Sequence, residues 1–276
     1  MLKKFFSLLF TSLFVFSVFA ADFNEKEKSM IQQILSFRLS LRSLPDSESC
    51  ISSVQEYRKA HQAEISALGE EAAIVCFNML ATAEYNGAYE KDMHDSRMEG
   101  ILRPQYEKVT AFRRGKSAEE LNPWFIMTAA DVTNSMMQFL KQSDAISLGL
   151  QEKKDYALVI EKNPQMSFAL TLSAFWYYYA PGIGGGSKTK AREYFTDAYK
   201  FASNNYEKYY GCINLSQMNF EDKKKEEAGR LLEEAEKILP GTRYLAFIRK
   251  INALGYSVFD YNQNSTRKKL DEKLKE

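Results

Sequence analysis

Cysteine and histidine are scarce in this chain: three of the first and two of the second occur among 276 residues. An odd and sparse set of thiols, Cys50, Cys76 and Cys212, argues against a disulfide framework. If the segments on either side of Gly69 form a helical hairpin, Cys50 lies farther from the turn than Cys76 by about 18 Å along the axes, at ~1.5 Å per residue. A disulfide tolerates about 7 Å between Cα atoms, so this pair is expected to stay unbridged. Imidazole is equally limiting. The stretch DMHDSRMEG gathers Asp92, His94, Asp95 and Glu99, but Asp95 and Glu99 share a helix face from which His94 projects away. It reads as a solvated polar surface, and no metal is expected. There is no Gly-x-Ser-x-Gly and no pairing of thiol with imidazole, so no hydrolytic nucleophile is expected; the chain reads as a non-enzyme without a cofactor. An excess of one charge is missing too. The 37 basic and 36 acidic residues are mixed along the length, which removes the electrostatic footprint of a nucleic-acid binder. Alternating apolar and polar runs bounded by hairpin turns are also lacking, so the fold class is expected to be all-α.

One long apolar run is present. Lys3 and Lys4 precede Phe5 to Phe19, and Val18, Phe19, Ala20 lead into Ala21 and Asp22. This is the pattern of a secretory signal peptide, at 1–20, cleaved after Ala20 or Ala21. The run is shorter than the ~20 residues that span a bilayer. No cysteine follows it to accept a lipid, so an exported, periplasmic protein without a stable membrane anchor is expected. Loss of Lys3 and Lys4 takes the formal charge from +1 to −1.

Downstream, apolar residues recur at spacings of three and four. Met30, Ile31, Ile34, Leu35 and Leu41 mark a first helix that ends at Pro45, and helices follow to Leu68, from Glu70 toward Tyr89, and from Asp95 to Arg114 with Pro104 near a start or kink. Residues 21–122 therefore read as helical hairpins of unassigned type. From Pro123 onward the helices fall in pairs: Pro123 to Leu140 with a partner ending at Asn163, Met166 to Ala180 with Ser187 to Ala202, and Asn205 to Phe220 with Lys223 to Leu239. A helix from Thr242 to Leu254 has no evident partner, and 255–276 is charged enough to be a solvated helix or a frayed tail.

Ala191, Phe195 and Ala198 recur as Ala228, Leu232 and Ala235 at a constant offset of 37 residues. A fixed period of that length is the signature of a repeat array, in which each hairpin buries its apolar faces only by stacking on a neighbour. Together with Leu215, Ser216 and Pro240 in the last unit, and Leu170, Ala174 and Tyr177 in the one before, this resembles the tetratricopeptide repeat. An earlier unit, with Val132, Thr133, Tyr156, Val159 and Pro164, carries Glu152 where a small residue is expected. The resemblance covers 123–254 and implies an α-solenoid of stacked hairpins whose first helices line a concave groove for a protein or peptide partner. Position by position it marks Asn134, Met137, Phe175, Tyr178, Tyr179, Tyr210, Ile213 and Gln217.

GIGGGSKT, from Gly182 to Thr189, resembles a nucleotide-binding loop, but Ser187 replaces the glycine before the lysine, and helical spacing precedes the loop where a strand is required. An irregular turn capped by Ser187 is the reading preferred, with Gly184, Gly185, Gly186, Ser187 and Lys188 as possible anion contacts. A nucleotide-using enzyme remains the rival from another class. Proline, a double glycine, a lysine and then Ala191, Phe195 and Ala198 are also similar to the repeat proteins that accompany periplasmic TRAP-type solute transport. That similarity implies a transport-associated role as the alternative to a scaffold.

Overall fold

The computed structural model describes residues 22–275, and the expected signal segment at 1–20 lies outside the described residues. Within them every regular element is a helix and no strand occurs. In chain order the α-helices are α1 (Glu25–Ser40), which runs into a 3-10 turn at Leu41–Ser43, α2 (Ser47–Ser66), α3 (Glu70–Lys91), α4 (Met98–Arg113), α5 (Pro123–Met136), α6 (Gln142–Lys162), α7 (Ser167–Tyr179), α8 (Lys188–Phe201), α9 (Asn205–Glu221), α10 (Lys225–Ile238), α11 (Arg243–Ala253), α12 (Val258–Tyr261) and α13 (Asn264–Lys275). Starts follow side-chain chemistry. Asn24 and Glu27 form a capping box on α1, Asp46 caps α2, Asn204 caps α9, Thr242 caps α11, and Pro123 stands in the first turn of α5, where a missing N–H is harmless. Pro104 sits inside α4 rather than at its start.

Neighbours in sequence pack on one another: α2 on α3, α3 on α4 and α5, then α5 on α6, α7 on α8 and α9 on α10. Small residues set the close approach in the last two pairs. Ala191, Ala198 and Ala235 are completely buried, and Phe195 between them is fully enclosed. Such a phenyl ring contributes about 2–3 kcal/mol through apolar area removed from water. α3 is the most enclosed helix, inaccessible from Ile74 through Tyr85 and lying against α1, α2, α4 and α5. All three cysteines are buried and free.

Two features close the molecule. α1 does not pair with its neighbour; it packs against α3 on one side and α9 on the other, and the turn after it lies on α11. The C-terminal segment, expected to be a solvated helix or a frayed tail, is instead docked. Phe259 and Leu270 are completely buried, and Arg267 donates to the carbonyls of Tyr89 at 2.9 Å and Glu90 at 3.3 Å on α3. α12 and α13 also give α11 the partner that the sequence does not reveal. The high charge of 255–276 concealed one apolar or stacked residue per turn, which is enough to anchor a short helix. No helix among the described residues is long and apolar enough to cross a membrane.

Candidate binding cavity

Because α1 and α13 bridge the array, its inner face encloses a cavity of about 750 Å³. α3, α5, α7, α9 and α11 all contribute to the wall, while α4, α6, α8 and α10 contribute nothing to it. The helices thus alternate between an inner and an outer position. Phe175 and Tyr179 come from α7, Tyr206 and Tyr210 from α9, Tyr244 and Phe247 from α11, so each of these inner helices gives the wall at least two aromatic rings. Tyrosine side chains combine large apolar area with a polar tip, so the wall offers both apolar surface and hydroxyl groups.

Set into this wall is a cationic cluster. Arg42 donates from Nε to the Tyr210 hydroxyl at 2.6 Å and from Nη1 to Glu90, and its guanidinium lies 4.4 Å from the Tyr244 ring centre. Arg243 donates to the other Glu90 oxygen at 3.1 Å. Burial alone would raise the Glu90 pKa, but the two guanidinium groups outweigh it and the carboxyl ends below its ordinary value. Arg38 stands over Tyr206 at 5.3 Å. Across the cavity Asp131 is raised, first by burial, with Arg38 and the Thr82 hydroxyl pulling the other way.

Of the residues marked by sequence, Phe175, Tyr179 and Tyr210 line this cavity. The others lie elsewhere. Tyr178 is 7% exposed, and its hydroxyl donates to Glu221 while burial holds its pKa far above normal. Ile213 is core. Gln217 is fully buried, exchanging hydrogen bonds with Asn252 and accepting from the Val258 backbone at 2.9 Å. Asn134 donates to the Tyr156 hydroxyl at 2.7 Å, and neither it nor Met137, in a 3-10 turn after α5, reaches the wall. The helical register explains the division. An inner helix shows the cavity only part of its circumference, and α12 covers the face from which Tyr178 and Gln217 project.

The glycine loop does not join the site. Its amides are committed inside the chain: Gly184 and Gly186 donate to Pro181, Gly185 to Gly182, and Ser187 to Tyr177. The Lys188 ammonium is bonded to Glu221 at 3.0 Å and to the Tyr178 hydroxyl, and Ser187 caps α8. α7, a helix, precedes the loop, so both the strand and the free amides of a phosphate cradle are missing. Gly185 adopts φ +96°, and a Cβ on Gly186 would fall on the Ala180 carbonyl, 2.7 Å from its carbon. Gly186→Ala is therefore expected to destabilise the protein by about 2 kcal/mol and to lower its melting temperature by about 4–8 °C. An unchanged melting curve would mean that the turn relaxes freely.

Sequence reasoning missed Arg38, Arg42, Glu90, Asn214, Arg243 and Tyr244. One signal was available. Arg38 continues the three-four stripe of Met30, Ile31, Ile34 and Leu35, and a charge on an apolar stripe is either paired or aimed at something. The chain is thus an all-helical protein of paired helices built around a partly open aromatic and arginine-bearing cavity. No protein-family model matches it, and none of the curated proteins compared with it gives a match.

Proposed function

We propose that this is an exported helical-repeat protein that binds a small solute in its central cavity, in the manner of an accessory to solute transport rather than of an enzyme. The solenoid reading rests on the alternation of inner and outer helices, on the 37-residue recurrence of Ala191, Phe195 and Ala198, and on their burial between paired helices. The leader at 1–20 supports export to the periplasm.

The observation that carries the function is the position of α1. It occupies the groove in which a partner peptide would lie in an open array, and what remains is a cavity of about 750 Å³, within the ~300–1,000 Å³ of small-molecule sites. A protein partner along the same face would have to displace seven buried residues of α1, from Glu27 to Leu39. Catalysis has less support, since Arg42 and Arg243 are engaged in holding the walls together and the glycine loop's amides are spent internally.

A thermal-shift screen tests the proposal. Small solutes are expected to raise the melting temperature, whereas nucleotides with or without magnesium are expected to leave it unchanged, in both the wild type and Lys188→Ala. A nucleotide shift abolished by Lys188→Ala would return the glycine loop to the centre of the argument. Recovery of a partner that binds only when α1 is deleted would restore the scaffold.

A further inference from the structure

Four side chains of the cavity wall have a buried N–H donor without a hydrogen-bond partner, Arg38, Asn214, Arg243 and Arg267; the last two are held through another nitrogen by Glu90 and by the Tyr89 and Glu90 carbonyls, whereas Arg38 and Asn214 make no side-chain hydrogen bond among the described residues. Arg38 is 8% exposed, makes no hydrogen bond or ion pair among the described residues, and has a buried Nη1 without a partner. Asn214 is 4% exposed, and its Nδ2 is likewise buried and unpartnered. Both groups line the cavity, and both unpartnered atoms are N–H donors. A buried polar group left unpaired costs about 1–3 kcal/mol, so two wall side chains bonded to nothing in the protein are matched to acceptors supplied from outside.

Both side chains are placed relative to α9. Arg38 stands over Tyr206, and Asn214 comes eight residues after Tyr206 on α9, an axial rise of about 12 Å at 1.5 Å per residue. The same wall carries the apolar and aromatic side chains of Leu172, Phe175 and Tyr210. Charge sets the valence. The wall carries four arginines against three carboxylates, one positive charge in excess, and no carboxylate lies within ion-pair distance of Arg38. Asp131 acts on Arg38 only through space and would repel a second negative charge.

Resting on the small-solute reading above, we propose that the cavity takes an elongated amphipathic monocarboxylate: its carboxylate on the Arg38 guanidinium, its apolar body along the aromatic wall, and a neutral hydrogen-bond acceptor at Asn214. A guanidinium paired with a carboxylate forms the stronger, charge-assisted kind of hydrogen bond. The Asn214 amide then serves as a length gauge rather than a charge reader.

Isothermal titration with three ten-carbon probes tests this: decanoate, 10-hydroxydecanoate and 1,10-decanediol. The wild type is expected to bind 10-hydroxydecanoate at least tenfold more tightly than the diol, and more tightly than decanoate. Arg38→Met should abolish the preference for acid over diol, and Arg38→Lys should keep part of it. Asn214→Leu should remove the advantage of 10-hydroxydecanoate over decanoate while leaving decanoate itself unaffected. Each readout is a ratio within one variant, so a general loss of stability does not imitate it. Equal binding of acid and diol by the wild type, or an acid preference that survives Arg38→Met, would overturn the carboxylate assignment and leave the small-solute cavity standing. If the wild type binds none of the three while other uncharged solutes raise its melting temperature, the carboxylate assignment fails alone; if no solute binds at all, both readings fall.

Discussion

Replacing Glu90 by alanine is expected to destabilise the protein by about 3 kcal/mol at neutral pH and to loosen both ends of the chain together. Glu90 lies in the last turn of α3 and accepts hydrogen bonds from Arg42, just after α1, and from Arg243, at the start of α11. Removing one member of a buried ion pair costs about 3–5 kcal/mol, because the remaining charge keeps its desolvation without its partner. Here the side chains retain exposures of 17%, 35% and 27% for Arg42, Arg243 and Glu90, all facing the cavity, which places the value at the lower end of that range. The sign with pH follows from the lowered pKa of Glu90. This contribution is present above the ordinary carboxylate value of 4.5 and is lost as pH falls through the lower folded value. The gap between wild type and Glu90→Ala in urea unfolding should therefore be widest near neutrality and close in acid. Arg42→Met combined with Glu90→Ala should fall short of the sum of the single changes, since the two groups share one interaction. Faster amide exchange in both α1 and α11 would accompany the loss; a variant within about 0.5 kcal/mol of wild type would show that the closure rests on apolar packing alone.

That prediction concerns the part of the fold that was least legible. The paired helices were readable because their information is local: a period of three and four gives the helix, Ala191, Phe195 and Ala198 give the close contact, and Ser187, Asn204 and Thr242 give the starts. Ring closure is not local. Arg42 meets Tyr210 across 168 residues and Arg267 meets Tyr89 across 178, and no short-range pattern encodes either meeting. The stripe on α1 reveals that the helix is buried but not that two separate helices bury it. The same gap explains the candidate site. Phe175, Tyr179 and Tyr210 follow from knowing which helices face inward, whereas Arg38, Arg42 and Arg267 reach the cavity from segments outside the repeat. Tyr178 and Gln217 were turned into core by α12, a single short helix whose Phe259 stacks on Phe195 at 5.6 Å.

Glu152→Gln is expected to remove a steep pH dependence from the stability of the protein, and its origin was visible as a flaw in the repeat. Glu152 stands where the repeat asks for a small residue, on a helix that must approach its neighbour closely. In the structure it is 3% exposed, and neither carboxyl oxygen has a partner at hydrogen-bond distance. Its pKa is raised to about 9, first by burial and then by the carboxylates of Asp155 and Asp131, against weaker opposition from Arg113 and Asn134. Asp155 cannot share its own compensation, because Arg113 holds it at 2.6 Å. Between 4.5 and about 9 the folded chain keeps a proton on Glu152 that the unfolded chain releases. Stability from this group is therefore complete below 4.5 and declines by about 1.4 kcal/mol per pH unit until the folded value is passed. From pH 5 to pH 8 the wild type should lose about 4 kcal/mol that Glu152→Gln keeps, read as the difference between their urea midpoints. Parallel pH profiles for the two proteins would mean that Glu152 is ionised in the folded state and finds a partner there. Glu90 weakens the fold in acid and Glu152 weakens it toward alkali, so the two groups act on stability with opposed slopes, and Glu152→Gln should remove the alkaline one.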